Sequence, residues 1–349
     1  MARKVRDAAW YEYVEYGDAE VLHRVAGPLD DPGPGDVTVE VMTTAINHMD
    51  AFLRNGKEQT WSDLPWPRRS GSDFAGVVTA TGPGVTSFKV GSEVIGHTRT
   101  GAHATHITVP AWALVAKPRN IEWEVAGSLY LAGATALDIL DELRIGAGDV
   151  LVVSAAAGGV GSLQVQLAKQ LGARVIGTCG ERNFDYLRQI GVTPVKYGDD
   201  MVERIRRAAG GPVTAFIDNF GKDGSDIAEA LGVPESKYRS SEYRREVELR
   251  LLQDDPASIA HGTAQLTKLT ALLGQGAFRM LVSGLYPLDD IIDAFEDLAR
   301  LHSRGKIVLA TRPVTTYRTL KARDVQDRIS DQQDEVRRAM TGPVPVAAQ

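Results

Sequence analysis

The sequence predicts an α/β protein in two parts, a β-rich unit of short strands and a doubly wound α/β domain. Three observations predict it. Up to about residue 122, short alternating apolar runs are separated by Pro/Gly turns. Beyond that point, helix and strand signals alternate. Where the first fully apolar strand meets a helix stands a glycine-rich turn, Ala155-Ala156-Ala157-Gly158-Gly159-Val160-Gly161. A chain of 349 residues exceeds the ~100–200 of one domain, so two domains are expected.

The elements follow in order. Residues 37–41 (Val-Thr-Val-Glu-Val) alternate as a strand does, after the turn Asp31-Pro32-Gly33-Pro34-Gly35-Asp36. Residues 74–80 form a second β-rich run, ended by Gly82-Pro83-Gly84. Residues 93–96 and 107–109 are further strand candidates. Residues 124–143 carry Ala, Leu and acidic residues at helical spacing. Residues 150–154 then read as a strand buried on both faces, as in a parallel sheet. Helix 160–171 and strand 174–178 complete a βαβ unit. A helix over 181–190, a short strand near Pro194-Val195 and the apolar run 215–217 extend it. The stretch 221–258 is the hardest to read, although 239–252 has helical character. Helix 264–273, strand 280–285, a helix over 288–301 and strand 307–310 close the folded part. A charged tail over 316–349 is expected to hold an appended helix, for packing, dimer contact or merely as a solvated appendage.

Composition narrows the function classes. Hydrophobic residues make up 43% and charged residues 24%, as in ordinary globular proteins. The net charge of −6 offers no footprint for nucleic acid or an anionic membrane. The single cysteine, Cys179, excludes an internal disulfide and a cysteine-rich zinc lobe. No run approaches the ~18 apolar residues of a membrane span, and the first ten residues lack the apolar core of a signal peptide. A cytoplasmic protein is the default expectation.

The glycine turn carries the chemistry. Glycines let a backbone turn tightly and approach a diphosphate without Cβ clashes. The free amides and the dipole of the helix N-terminus then face the phosphate charge. Ala157, Gly158, Gly159, Val160 and Gly161 are therefore expected to bind a dinucleotide. The pattern departs from G-x-G-x-x-G at Ala156, where the first glycine would stand. NAD-preferring proteins place an acid at the end of the next strand, against the ribose 2′-hydroxyl. Here that strand ends Gly177-Thr178-Cys179-Gly180, with no acid at its tip. Arg182 and Thr178 instead suit a 2′-phosphate, which points to NADPH. Glu181 is the opposing residue, and Arg182 as a plain exposed helix-start residue is the alternative.

With these residues in hand, the chain resembles the zinc-independent, quinone oxidoreductase-like branch of the medium-chain dehydrogenase/reductase superfamily, from about residue 10 to residue 312. The ordered segments are Ala45-Ile46-Asn47-His48-Met49-Asp50, residues 71–78, Phe88-Lys89-Val90-Gly91, Val109-Pro110, Ala132-Gly133-Ala134-Thr135-Ala136, the glycine turn, and Gly305-Lys306-Ile307-Val308-Leu309. The resemblance implies a GroES-like β-rich catalytic domain (1–123 and 275–315) with an inserted Rossmann dinucleotide-binding domain (124–274). It puts the active site in the cleft between them. In zinc-dependent relatives the segment matching 45–50 carries a cysteine where Asn47 stands, the segment matching 71–76 carries His-Glu at Ser72-Asp73, and a third ligand falls near Leu131. All three are replaced here, so no metal is expected.

The reaction the resemblance implies is hydride transfer from NADPH to a small conjugated acceptor, a quinone or an α,β-unsaturated carbonyl, by a homodimer. Without a metal to stabilise an alkoxide, an acceptor that spreads its own charge is the easier substrate. Asn47 and Asp50 stand where cleft-lining residues are implied, with turn-capping roles as the alternatives. Thr135 is a candidate contact to the nicotinamide end, Tyr197 matches an aromatic bordering the cofactor, and Lys306 matches a lysine near the phosphates. Asn219 ends a strand of the sheet, where cofactor contacts collect. Relatives that reduce enoyl thioesters carry a tyrosine proton donor after the glycine matching Gly56, where this chain has Lys57-Glu58-Gln59. His103 is then a candidate proton donor, with a structural role as the alternative. Trp61 and Trp66 lie on a loop that could cover a flat acceptor. Two other readings stand beside this one: a reductase of an enoyl or iminium intermediate in secondary metabolism, and a non-catalytic NADPH-binding protein.

Overall fold

The structure, a computed structural model, describes residues 7–58, 64–222, 224–300 and 304–314. Trp61 and the segment 316–349 lie outside the described residues.

The parallel sheet is built first from Val150–Val153, whose last three residues are buried. Burying a side chain of this size stabilises by about 1.5–3 kcal/mol, so the strand takes the centre of the sheet. Around it run, in spatial order, Thr193–Lys196, Arg174–Cys179, Val150–Val153, Ala215–Ile217 and Tyr238–Arg239, all parallel. The order reverses direction at Val150–Val153. The crevice beyond the carboxyl ends of Val150–Val153 and Ala215–Ile217 is thus the switch point, where open α/β sheets bind ligands.

The β-rich part is a seven-stranded sheet, with a three-stranded sheet beside it. Its long central strand is Asp36–Ile46. Asp73–Thr81 pairs along one edge of that strand, and His106–Pro110 pairs with its first half. Lys306–Ala310 returns from the far end of the chain and pairs antiparallel with the second half, Ile307 opposite Ile46 and Ala310 opposite Thr43. This register sets Lys306 beside Asn47. Val282–Pro287 adds in parallel outside it.

Several sequence expectations are corrected. The helix expected over 124–143 is two helices, Trp123–Ala126 and Tyr130–Glu142. The break is tertiary: the Thr43 hydroxyl donates to the Trp123 carbonyl at 2.6 Å, and a Cβ on Gly127 would lie 2.3 Å from Thr43 Oγ1. The helix expected over 264–273 begins much earlier, spanning Pro256–Gly274. Asp255 caps it, accepting from the Ala257 and Ser258 amides at 3.0 and 3.1 Å, with proline at the first helical position. In the stretch that read poorly, Ser241–Leu251 is helical, and its inner side joins the same buried core as Tyr130–Glu142 and Gly159–Gln170.

Candidate active site

The glycine turn sits at the switch point. Ala155 leaves the central strand with a φ of 47°, a left-handed conformation that an alanine adopts only with strain. Gly158 is the N-cap of helix Gly159–Gln170, so the amides of Gly159, Val160 and Gly161 are among those a helix leaves without internal partners. Gly161 cannot be replaced freely: its Cβ would lie 2.4 Å from the Ala155 carbonyl oxygen. The turn is also pinned from outside. The Gly305 amide donates to the Ala157 carbonyl at 2.9 Å, and Gly158 and Gly305 form a parallel bridge.

A cleft of about 340 Å³ opens at this turn. Its wall includes Gly158 to Gly161, Asn219, Phe220, Asn47, His48, Arg244 and Lys306. Asn219 is held rigidly. Its side-chain amide donates to the Ser154 carbonyl at 3.1 Å and to Gln164 Oε1 at 2.7 Å, and its backbone amide donates to Ser154 Oγ at 2.8 Å. Beneath it, buried Asp218 accepts from Ser154 Oγ at 2.7 Å and from the Phe220 and Gly221 amides at 3.0 and 3.1 Å.

The opposite wall carries a buried polar cluster. Asn47 precedes the short helix His48–Arg54, and its backbone amide donates to Asp50 Oδ2 at 2.7 Å. The Asn47 side chain donates to Asp73 Oδ2 at 3.3 Å and accepts from Lys306 Nζ. Lys306 Nζ also donates to the Ile46 carbonyl at 3.3 Å and lies 3.9 Å from Asp73 Oδ2, an ion pair beyond hydrogen-bond reach. Asp73 Oδ1 accepts the Leu131 amide at 3.0 Å. The three positions matching zinc ligands in the resembled family thus meet in one place, joined by hydrogen bonds and an ammonium. Among the described residues no three His, Cys, Asp or Glu side chains are grouped to hold a metal. Burial pushes the Asp50 carboxyl up to about 6 and the Asp73 carboxyl upward, while it lowers Lys306 against the pull of both acids. His48 stands exposed on the cleft wall.

Three expected catalytic or cofactor contacts lie behind the wall. Asp50 is buried and spent on the Asn47 amide. Thr135 is fully buried, and its hydroxyl donates to the Leu131 carbonyl at 2.7 Å within its own helix. His103 is also fully buried, with Nε2 3.1 Å from the Ala45 carbonyl and Nδ1 3.0 Å from Ser70 Oγ. A carbonyl only accepts, so Nε2 carries the proton and Nδ1 accepts from the serine. Desolvation lowers its pKa to about 4. Both nitrogens are engaged away from the cleft, and this geometry does not suit a proton donor. Trp66 packs edge-on against Tyr13 and Tyr16, at 5.7 and 5.2 Å between ring centroids, and does not line the cleft.

At the tip of Arg174–Cys179, Thr178 is buried, while Arg182 and Tyr197 are exposed. The Tyr197 hydroxyl lies 3.4 Å from the point a Cβ on Gly180 would occupy, so tyrosine and turn are adjacent. Glu181 is paired with Lys196 at 2.9 Å, which answers its negative charge locally. Sequence reasoning missed Arg304. Its guanidinium donates to Asn183 Oδ1 at 2.8 Å and to the Arg182 carbonyl at 2.9 Å, bringing a second cation to this corner. The only available signal was its place beside the Gly305-Lys306 segment. Arg244 and Glu248, an ion pair at 3.2 Å on the cleft wall, come from the stretch that read poorly.

Two family models match the chain, the alcohol dehydrogenase GroES-like domain over residues 33–119 and the zinc-binding dehydrogenase over residues 159–234. The chain is 31% identical over 315 residues to a mycocerosic acid synthase-like polyketide synthase of Mycobacterium tuberculosis, covering 84% of this chain but spanning only 15% of the synthase. It is 27% identical over 331 residues to the chloroplast envelope quinone oxidoreductase homolog of Arabidopsis thaliana, covering 88% of this chain and 99% of that protein. Among solved structures, the Escherichia coli quinone oxidoreductase complexed with NADPH is 25% identical with a TM-score of 0.74, covering 86% of this chain and 99% of that one.

Proposed function

The chain belongs to the medium-chain dehydrogenase/reductase superfamily, in its quinone oxidoreductase-like branch, and we propose that it is an NADPH-dependent oxidoreductase that reduces quinones or α,β-unsaturated carbonyls without zinc. The observation that carries this reading is the cleft itself. On one wall the glycine turn presents helix N-terminal amides, and on the other stand Asn47 and Lys306, hydrogen-bonded to each other beside buried Asp73, with Asn47 and Asp73 at positions that carry metal-binding residues in zinc-dependent relatives.

NADPH, when bound, supplies the hydride. The chain's own residues bind, orient and exclude water. Gly159 to Gly161 meet the diphosphate with backbone amides. Thr178, Arg182, Tyr197 and Arg304 form the corner that takes a 2′-phosphate, with Glu181 neutralised by Lys196. Asn219 is fixed at the switch point for the ribose or nicotinamide. Asn47 offers its side-chain amide toward the acceptor oxygen or the nicotinamide ribose. The cofactor fits the donor set: the turn amides face one side of the cleft, Lys306 and Arg244 add cations to its lining, and the one carboxylate among the cleft-lining residues, Glu248, is paired with Arg244.

A second reading is favoured by the likeness to polyketide synthases, in which the acceptor is an enoyl thioester. One panel separates the readings. Purified protein is mixed with NADPH and a quinone, an enone, an enoyl thioester or a cyclic imine, and absorbance at 340 nm is followed. Turnover of quinones and enones but not thioesters supports the first reading, and the reverse pattern supports the second. NADPH binding without turnover on any acceptor makes the chain a non-catalytic nucleotide-binding protein.

A further inference from the structure

We propose that the Lys306 ammonium is the catalytic electrophile, the group that hydrogen-bonds the acceptor oxygen while negative charge develops on it. The inference rests on the oxidoreductase reading above and adds a role that cofactor binding does not require.

The placement of the side chain carries it. The backbone register puts Lys306 at the start of the returning strand, next to Asn47. Its aliphatic stem packs by the turn, with Cδ 3.2 Å from the point a Cβ on Gly159 would take. Its head runs past the turn to the opposite wall. There it donates to the Ile46 carbonyl and Asn47 Oδ1. Asp73 Oδ2 lies 3.9 Å from the ammonium, outside hydrogen-bond range. A lysine devoted to phosphates would carry its charge at the glycine turn. This one carries it to Asn47, which lines the cleft on the wall facing the turn, and toward buried Asp73. Buried charges that persist are paired, and here the pairing is loose enough to leave one donor for a ligand. In a dry site such a donor acts far more strongly than in water.

The electron balance is simple. Hydride transfer to the β-carbon breaks the C–H bond at the nicotinamide C4, oxidises NADPH to NADP⁺ and forms the new C–H bond. The electron pair of the acceptor's double bond moves to its carbonyl oxygen, giving an enolate that Lys306 holds by hydrogen bond. A proton from water then completes the reduced product.

The test uses three variants of the full chain: Lys306→Met, Lys306→Arg, and the double variant Lys306→Met/Asp73→Asn, which removes a buried charge pair together and avoids a lone buried acid. NADPH affinity is read by fluorescence, and turnover by NADPH oxidation with 1,4-benzoquinone and with cyclohexenone. The expected result is a kcat lowered by about 100-fold in the double variant, with NADPH Kd within about threefold of wild type. The loss is larger for the enone than for the quinone, because a quinone spreads its own charge. Lys306→Arg, which keeps the cation, recovers part of the rate. A Kd weakened about tenfold or more with kcat retained would overturn the proposal and make Lys306 a phosphate ligand. Unchanged Kd and kcat would overturn it too, leaving Lys306 a counter-ion only. An inactive wild type that still binds NADPH fails the oxidoreductase reading itself and takes this inference with it, so the two failures are told apart.

Discussion

The Gly305 amide donates to the Ala157 carbonyl at 2.9 Å, so the segment that returns to the β-rich sheet is fastened to the glycine turn of the parallel sheet. One hydrogen bond thus ties the loop proposed to receive a dinucleotide to the strand whose first residue is Lys306. Gly305 has a φ of 78°, and a Cβ there would lie 2.3 Å from the Leu281 carbonyl. Gly305→Ala is expected to destabilise the protein by about 1–3 kcal/mol, read as a lower melting temperature, and to weaken NADPH at the same time. A variant as stable as wild type would show that the segment relaxes freely there.

Arg182 is exposed at the corner where Arg304 and the Glu181–Lys196 pair meet. Removing a charge-assisted contact to a phosphate affects only the cofactor that carries the phosphate. Arg182→Ala is expected to weaken NADPH by about tenfold and NADH little, measured by fluorescence titration. Equal losses for both nucleotides would mean that Arg182 does not meet the 2′-phosphate.

Asp218 gathers Ser154 Oγ and two backbone amides into the turn that precedes the cleft residue Phe220. Without the carboxylate these donors lose their shared acceptor. Asp218→Ala is expected to destabilise by about 1–3 kcal/mol and to weaken NADPH through a displaced Asn219. Thermal melts with and without NADPH separate the two effects.

His97 and His103 are both buried, and burial lowers each from 6.5 to about 4. A folded state that binds protons less readily than the unfolded one is stabilised above the unfolded pKa. That stability is present above pH 6.5 and is lost as pH falls toward 4, at ~1.4 kcal/mol per pH unit for each histidine. Asp50 works in the opposite direction, since its pKa is raised from 3.8 to about 6, so its contribution is fullest below pH 3.8 and fades as pH rises through 6. Asp73, raised as well, works with Asp50 against the two histidines, so the histidine contribution is read as the difference in melting temperature between wild type and a variant lacking one of them, from pH 6.5 to 4.5. His103→Gln, measured across the same range, should show less loss of stability than wild type as pH falls. A profile parallel to wild type would place the acid sensitivity elsewhere.

How much of this was legible in the sequence depends on how local each determinant is. The turn from Ala155 to Gly161 was readable because strand, glycines and helix follow one another within a dozen residues. The return of the final strand to the first sheet was readable only through the ordered resemblance. The break at Gly127 was not, because its cause is Thr43, far away in sequence. Asn47 and Lys306 reached the cleft, whereas Asp50, Thr135 and His103 turned inward. Four of the five, all but His103, lie on motif segments, and a motif does not tell which side of a wall a side chain takes. Arg304 and Arg244 were missed because each acts across a long sequence separation.

Fluorescence titration of the full chain with NADPH and with NADH tests the central claim most directly. The cleft and its basic corner predict saturable micromolar binding of NADPH, with NADH weaker by about tenfold or more. Absence of any nucleotide-dependent signal, or equal affinity for the two, would contradict the account.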